Sequence, residues 1–146
     1  MFDELIRSAR AAEQGGGAEL TLRLLRQAVD LYEGQFLPDV SFDWAQVQRE
    51  WLRSGMLYAM ERLAEAELRA GDHLSVIDRC CRMLEIEPFR EETYRMLMRS
   101  HAELGQLAQA RRWYRLCASR LCKELQIKPS IATQRLYHGV MRGELM

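Results

Sequence analysis

The residue types that most often perform chemistry are present in this chain, but they are not spaced as a site. The three histidines are widely separated, at positions 73, 101 and 138. Cys80 and Cys81 are adjacent and would point about 100° apart on a helix, while Cys117 and Cys122 are five positions apart, so neither pair matches one metal-binding face. No His-Glu-x-x-His, Gly-x-Ser-x-Gly or Cys-x-x-Cys pattern occurs. We therefore expect no enzyme, no cofactor and no metal ion.

Nucleic acid is the alternative ligand that the basic residues suggest. One predicted helix carries five of them, Arg111, Arg112, Arg115, Arg120 and Lys123. A basic stripe interleaved with aromatic residues can bind phosphates and bases. The interleaved Trp113 and Tyr114 fall at apolar helix positions, however, and we expect both rings to be buried. A solvated helix face is therefore favoured over direct binding of nucleic acid.

The composition is that of an ordinary globular protein of one domain, and the distribution of charge is compatible with a charged partner. Of its 146 residues, 48% are hydrophobic and 29% charged. Residues 1–94 contain 18 acidic and 11 basic side chains, a net charge of −7, and residues 95–146 contain 3 and 10, a net charge of +7. Such asymmetry can steer a partner, although drift of exposed helix faces would also produce it. The N-terminus does not resemble a signal peptide and no long apolar run occurs, so we expect a cytoplasmic protein without membrane contact.

Apolar residues recur at helical spacing along almost the whole chain, which predicts an all-α protein. Glycine should end the third and fifth helices at Gly71 and Gly105, and Asp43 and Ser130 are the expected N-caps of the third and seventh. The predicted helices cover about residues 2–14, 18–32, 44–70, 72–86, 90–104, 106–125 and the segment after Pro129.

An internal repeat organises these helices. The interval from Gly71 to Gly105 equals a common helical-repeat period of about 34 residues, and Pro88 closes the first repeat. At that offset the apolar positions pair as Met60 with Tyr94, Leu63 with Leu97, Ala64 with Met98, Val76 with Ala110, and Cys80 with Tyr114. This is the packing pattern of a tetratricopeptide repeat, in which stacked helix pairs share one core. We predict one domain over 1–146, a short α–α superhelix of antiparallel pairs (about 2–32, 43–88 and 89–125) with a capping helix (about 130–143). The alternative is an unrelated bundle with a coincidental period.

Three stretches resemble a narrower family. They are residues 28–40 followed by Trp44, residues 49–53, and residues 124–130 before the closing helix. The most distinctive pattern is Leu-Tyr-x-Gly-x-x-Leu-Pro at 31–38. Together they resemble the bacterial transcriptional activator domain of antibiotic-pathway regulators. The resemblance implies a regulatory domain that normally follows a winged-helix DNA-binding domain and sometimes accompanies an ATPase. Neither is recognisable here, so the chain is either a piece of a longer regulator or acts alone.

Solenoids of helix pairs form a groove lined mainly by the first helix of each pair. The repeat register assigns seven residues to that groove: Tyr58, Glu61, Glu65 and Arg69 in one repeat, and Glu92, Arg95 and Arg99 in the next. One wall would be acidic and the other basic. We expect the groove to bind a protein segment, supplied by the regulator's own DNA-binding or sensor domain or by the transcription machinery.

Two other functions fit the sequence. Exposed apolar ends of a short repeat stack could pair two copies in a homodimer. A pocket among Phe36, Trp44 and Trp51 could instead bind a small molecule, as in the sensing module of a signalling ATPase or regulator.

Overall fold

The computed structural model describes residues 2–14, 17–34 and 43–143, and these residues contain helices but no strand. The helices are α1 (Phe2–Gln14), α2 (Ala18–Gly34), α3 (Asp43–Arg69), α4 (His73–Ile86), α5 (Glu91–Glu103), α6 (Leu107–Arg120) and α7 (Ile131–Met141), with a π-helical turn at Leu121–Leu125. The all-α prediction is confirmed, and most predicted ends are within two residues of the observed ones. The exception is the sixth helix, whose last turn is π-helical. The predicted loop around Phe36 lies outside the described residues.

The chain divides into two compact units, residues 1–63 and 64–146, and α3 contributes to both. In the first unit, α1 packs against α2. Ile6 and Ala9 of α1 are buried, as are Leu25, Ala28 and Val29 of α2. These residues recur at intervals of three or four, so each helix turns one apolar stripe inward.

The second unit is built around α5, which packs against α4, α6 and α7. One core cluster consists of Ala64, Val76, Cys80, Leu84, Tyr94, Met96, Leu97, Cys117 and Leu121. A second cluster consists of Met98, Ala102, Ala110, Leu136 and Val140. Because α5 supplies buried side chains to both clusters, it is the central helix of this unit.

The turns after α3 and α5 have the same geometry. Gly71 and Gly105 adopt φ angles of 78° and 76°, a left-handed conformation that glycine adopts without a steric penalty. In each turn the glycine N–H donates to the carbonyl three residues back, at 3.1 and 3.0 Å. The next N–H donates five residues back, at 2.9 and 2.8 Å. This double hydrogen bond is the Schellman motif. Its recurrence one repeat period later supports the tetratricopeptide-like repeat.

Burial also follows the repeat. Nine of the ten paired apolar residues are buried, including Leu63 and Leu97 at 1% and 0% exposure. Tyr114 is the exception and is only partly buried, as is its neighbour Trp113. The expectation that both rings are buried is therefore met only in part, because both pack against the core but stay partly exposed. Tyr114 instead stacks on Tyr137 of α7, with ring centroids 3.9 Å apart and planes 7° apart.

Among the described residues, a side chain caps the start of α7 and the start of α4. The Ser130 hydroxyl accepts a hydrogen bond from the N–H of Thr133, which confirms Ser130 as the N-cap of α7. Asp72 caps α4 in the same way through the N–H of Ser75. Such caps satisfy backbone donors that the first turn of a helix leaves free.

Candidate functional site

Two of the predicted groove residues lie in the first unit. Tyr58 is partly buried, and the guanidinium carbons of Arg10 and Arg62 lie 4.7 and 5.4 Å from its ring centroid. Glu61 is one turn further along α3 and is also partly buried. Cations at these distances interact favourably with an aromatic ring. Tyr58 therefore already contacts two arginines of its own unit.

The other five predicted groove residues lie in the second unit. Glu65 and Arg69 are in the last turns of α3, and Glu92, Arg95 and Arg99 follow one another at intervals of three and four on α5. Arg69 is exposed and the other four are partly buried. Residues with this spacing share one side of a helix. The repeat register thus identified a common side of α5.

Glu92 and Arg95 take part in the contact between α5 and α7. Arg95 forms an ion pair with Glu92 and donates a hydrogen bond of 2.8 Å to the Thr133 hydroxyl. That hydroxyl donates in turn to the carboxylate of Glu91, at 2.7 Å. The side chains of Arg95 and Glu92 are only 18% and 33% exposed. Arg95 therefore helps to hold α7, whatever else it contacts.

Glu91 also accepts a hydrogen bond of 2.8 Å from the N–H of Ser130. Burial alone would raise the pKa of the Glu91 carboxyl. The hydrogen bonds from Ser130 and Thr133 outweigh burial and, with the charge of Arg95, hold that pKa below its ordinary value. The ionised form of Glu91 therefore stabilises the start of α7.

Arg69 and Arg99 meet at a cavity of about 270 Å³, here called the Arg69–Arg99 cavity. Its lining residues all belong to the second unit: Leu68, Arg69, His73, Arg99, Glu103, Leu136 and Val140. Nε of Arg99 and Nδ1 of His73 are buried and have no hydrogen-bond partner among the described residues. Buried polar atoms are usually paired, so each of these two lining residues has hydrogen-bonding capacity that the described residues leave unused.

The sequence interpretation missed His73 and Glu103 in this cavity. His73 gives no signal of a site because no other histidine is near it in the sequence. Glu103 could have been found from the repeat, because the interval from Gly71 to Gly105 also separates it from Arg69. The contribution of α7, through Leu136 and Val140, had no signal in the sequence because it depends on how α7 packs.

A second cavity, of about 280 Å³, lies in the first unit. It is lined by Ile6, Arg10, Val47, Glu50, Trp51, Ser54 and Gly55. Trp51 belongs to the predicted small-molecule pocket and is 41% exposed. Of its two predicted companions, Phe36 lies outside the described residues, and the side chain of Trp44 is not described. The aromatic pocket stays a prediction.

The five basic residues near α6 do not form one free stripe. Arg111, Arg112 and Arg115 are exposed on α6, and Lys123 is exposed in the π-helical turn. Arg120, in contrast, donates a hydrogen bond of 2.9 Å to the hydroxyl of buried Tyr94. One of the five guanidinium and ammonium groups is therefore used inside the fold.

The cysteines are structural where they are buried. Cys80 and Cys117 belong to the core of the second unit, and burial is the largest cause that raises the pKa of each thiol to about 12. A thiol with so high a pKa is a poor nucleophile at neutral pH. Across residues 2–14, 17–34 and 43–143, no three ligand-type side chains are grouped so that they could hold a metal ion. No helix in that part of the chain has the length and apolar content needed to cross a membrane.

The paired helices, their repeated turns and the capping α7 define a tetratricopeptide-like domain. A solved structure with this arrangement is the C-terminal tetratricopeptide-containing domain of an FK506-binding protein of Plasmodium falciparum. The superposition has a TM-score of 0.70 and covers 97% of this chain and 86% of that one, at 13% sequence identity. At that identity the likeness establishes the fold alone.

The chain belongs to the bacterial transcriptional activator domain family, whose model matches residues 1–141. Relatives include the regulatory protein DnrI of Streptomyces peucetius, 27% identical over 98% of this chain, and the regulatory protein AfsR of Streptomyces coelicolor, 27% identical over 97%. The transcriptional regulatory protein MoaR1 of Mycobacterium tuberculosis is 29% identical over 91% of this chain. The chain spans only 53%, 14% and 43% of these three proteins.

Proposed function

We propose that this chain is the regulatory protein-interaction domain of a bacterial transcriptional activator, and that it binds a partner protein or a neighbouring domain. Membership of the activator-domain family supports the regulatory role. The tetratricopeptide-like fold supports binding, because stacked helix pairs expose long helix faces suited to a peptide segment. The observation that carries the proposal is the Arg69–Arg99 cavity, which two arginines line and in which Arg99 and His73 each have a buried nitrogen without a partner among the described residues.

The partner surface that we propose lies in the second unit and contains Glu65, Arg69, Glu92, Arg95 and Arg99. Tyr58 and Glu61 belong to the first unit, and their part in partner binding stays a prediction. Arg69 and Arg99 are the main contacts of this surface with a partner. Both line the cavity, whereas Arg95 is already bonded to Thr133. The partner is a segment of the transcription machinery, or of the DNA-binding or sensor region of a longer regulator.

The test uses purified RNA polymerase holoenzyme from the source bacterium, immobilised for biolayer interferometry, with the regulator's own DNA-binding region as a second probe. The variant is Arg69→Glu combined with Arg99→Glu, which we expect to weaken binding by about tenfold or more, as truncation of a buried arginine contact commonly does. Charge reversal at Arg95 is avoided because it would also break the bond to Thr133 and loosen α7.

The matched control is Arg111→Glu combined with Arg115→Glu, the same change in charge at two exposed positions of α6. Binding of the control should equal that of the unaltered chain. Equal loss in both double variants would show a nonspecific charge effect and contradict the proposal. Absence of binding to both probes would contradict it as well.

Self-association is a second candidate, and one surface favours it. Leu125, Ile127 and Ile131 are 46%, 47% and 66% exposed between the π-helical turn and the start of α7. Apolar side chains grouped on a surface often mark an interface. Sedimentation velocity at several concentrations should detect a dimer that Ile131→Glu dissociates. A monomer at every concentration would exclude this function.

A further inference from the structure

The polar groups that the Arg69–Arg99 cavity leaves unsatisfied favour a negatively charged acceptor. An arginine side chain has five N–H donors and no acceptor, and Nε of Arg99 is buried without a partner. Nδ1 of His73 is also unpaired, and it can donate or accept according to the tautomer. A ligand oxygen in the cavity would accept from the guanidinium groups of Arg69 and Arg99, which both line it.

The charge of the lining limits that acceptor to one negative charge. Arg69 and Arg99 contribute two positive charges and Glu103 one negative charge, so the three residues together carry +1 before His73 is counted. A monoanion would neutralise this excess, whereas a dianion would be repelled by the Glu103 carboxylate. A single carboxylate fits this balance better than a phosphate group, which carries nearly two charges at neutral pH.

The remainder of the lining is aliphatic. Leu68, Leu136 and Val140 supply apolar side chains, and Leu136 and Val140 are buried at 4% and 1% exposure. These side chains would pack against methylene groups next to the carboxylate, and such burial is favourable. A volume of about 270 Å³ accommodates one such side chain and is small for a drug-sized ligand.

We propose that the Arg69–Arg99 cavity binds the carboxylate of a glutamate side chain in an acidic partner segment. The guanidinium groups of Arg69 and Arg99 donate to the carboxylate oxygens, and the glutamate methylenes lie on Leu136 and Val140. Glu103 stays at the exposed edge, where it faces the backbone N–H groups of the partner. This inference rests on the proposed function and specifies the chemistry of the partner.

The test is NMR titration of the ¹⁵N-labelled chain with an acetylated, amidated peptide, Ala-Ala-Glu-Ala-Ala. The arginine Nε–H signal that disappears in Arg99→Lys identifies Arg99. We expect the peptide to shift this signal in a saturable manner. The Ala-Ala-Gln-Ala-Ala peptide should bind about tenfold more weakly or worse, the loss expected when a charge-assisted hydrogen bond becomes a neutral one.

Arg69→Gln should weaken binding of the glutamate peptide, and Arg111→Gln on exposed α6 should leave it unchanged. Circular dichroism of each variant checks that it is folded. Butyrate is the probe for a free small acid, and binding as tight as that of the peptide would overturn the assignment to a peptide side chain. An unmoved Arg99 signal, or equal affinity for the two peptides, would overturn the site itself. If RNA polymerase still binds in either case, the proposed function stands without this inference.

Discussion

At the scale of single residues, Tyr94 connects three segments of the second unit. Its ring is fully buried in the core. Its hydroxyl donates to the carbonyl of Pro88 at 2.6 Å and accepts from Arg120 at 2.9 Å. Each bond joins α5 to a neighbour, the turn before it or the end of α6. A buried hydroxyl with both a donor and an acceptor bond is costly to remove because two partners then lose their bonds.

Tyr94→Phe tests this contribution. We expect the free energy of unfolding to fall by about 1–3 kcal/mol, because the Pro88 carbonyl and Arg120 are left unpaired. Urea denaturation followed by circular dichroism measures it. Tyr114→Phe is the matched control, because that hydroxyl has no hydrogen bond to the described residues and the stack on Tyr137 remains. A loss below about 0.5 kcal/mol for Tyr94→Phe, on the order of an exposed surface change, would contradict the assignment.

The free energy of unfolding should depend on pH through Glu91, and the direction of the shift in its pKa fixes the sign of that dependence. Its pKa is lower in the folded chain than the ordinary carboxyl value of 4.5. The unfolded state therefore binds the proton more readily, so the stabilisation is complete above pH 4.5 and is lost as the pH falls through the lowered pKa.

Glu91→Gln should remove this pH-dependent stabilisation. At pH 7 we expect a loss of about 1 kcal/mol, a modest value because the carboxyl is partly exposed and screened by solvent. Urea denaturation from pH 7 to pH 3 should show the two stabilities converging below pH 4.5. A difference that stays constant over this range would show that ionisation of Glu91 does not hold α7.

At the scale of elements, the turns of Gly71 and Gly105 depend on a left-handed backbone. A Cβ atom at either position would have no heavy atom within 4 Å apart from its chain neighbours, so a substitution meets no external clash. Its cost is therefore the backbone conformation alone. Substitutions at these two glycines therefore measure backbone strain without a contribution from side-chain clashes.

Gly71→Ala and Gly105→Ala should each lower the free energy of unfolding by about 1–2 kcal/mol, the penalty for a left-handed alanine. Asparagine tolerates this conformation better, so Gly71→Asn and Gly105→Asn should cost less than the alanine variants. Guanidinium denaturation of all four variants measures the two differences. Equal costs for alanine and asparagine would indicate a cause other than backbone strain.

The sequence predicted those elements that local signals specify. Gly71, Gly105 and Ser130 mark their turns and cap by residue type alone, and the helical spacing of apolar residues placed the helices. The π-helical turn at Leu121–Leu125 was missed because the spacing of apolar residues does not distinguish it from a continued α-helix. The Glu91–Thr133 bond joins residues 42 apart, and the Arg69–Arg99 cavity combines residues of four helices, α3, α4, α5 and α7. Both depend on tertiary placement that one sequence does not reveal.

At the scale of the whole molecule, local stability should differ along the chain. α5 contains eight buried residues, including Tyr94, Met96, Leu97 and Met98 at 1% exposure or less. In α1, only Ile6 and Ala9 are buried among residues 4–11. Segments with few buried contacts open at a small cost in free energy, whereas central helices open only in nearly global unfolding.

Native-state hydrogen exchange with mass spectrometry tests this difference. We expect peptides from α5 to exchange at least about tenfold more slowly than peptides from α1, which corresponds to about 1.4 kcal/mol in opening free energy. Uniform exchange across the chain would mean that both units open in a single cooperative step.

The Schellman turn at Gly71 recurs at Gly105, and this recurrence has a consequence for adding repeats to the chain. A copy of residues 72–105 inserted after Gly105 would begin with the same capping aspartate and end with the same left-handed glycine, so both of its junctions already exist in the chain. Adding whole repeats therefore requires no new turn geometry, and each added repeat presents further side chains to a partner. Duplication of this repeat, in evolution or by design, could therefore enlarge the proposed partner surface while α7 remains the capping helix.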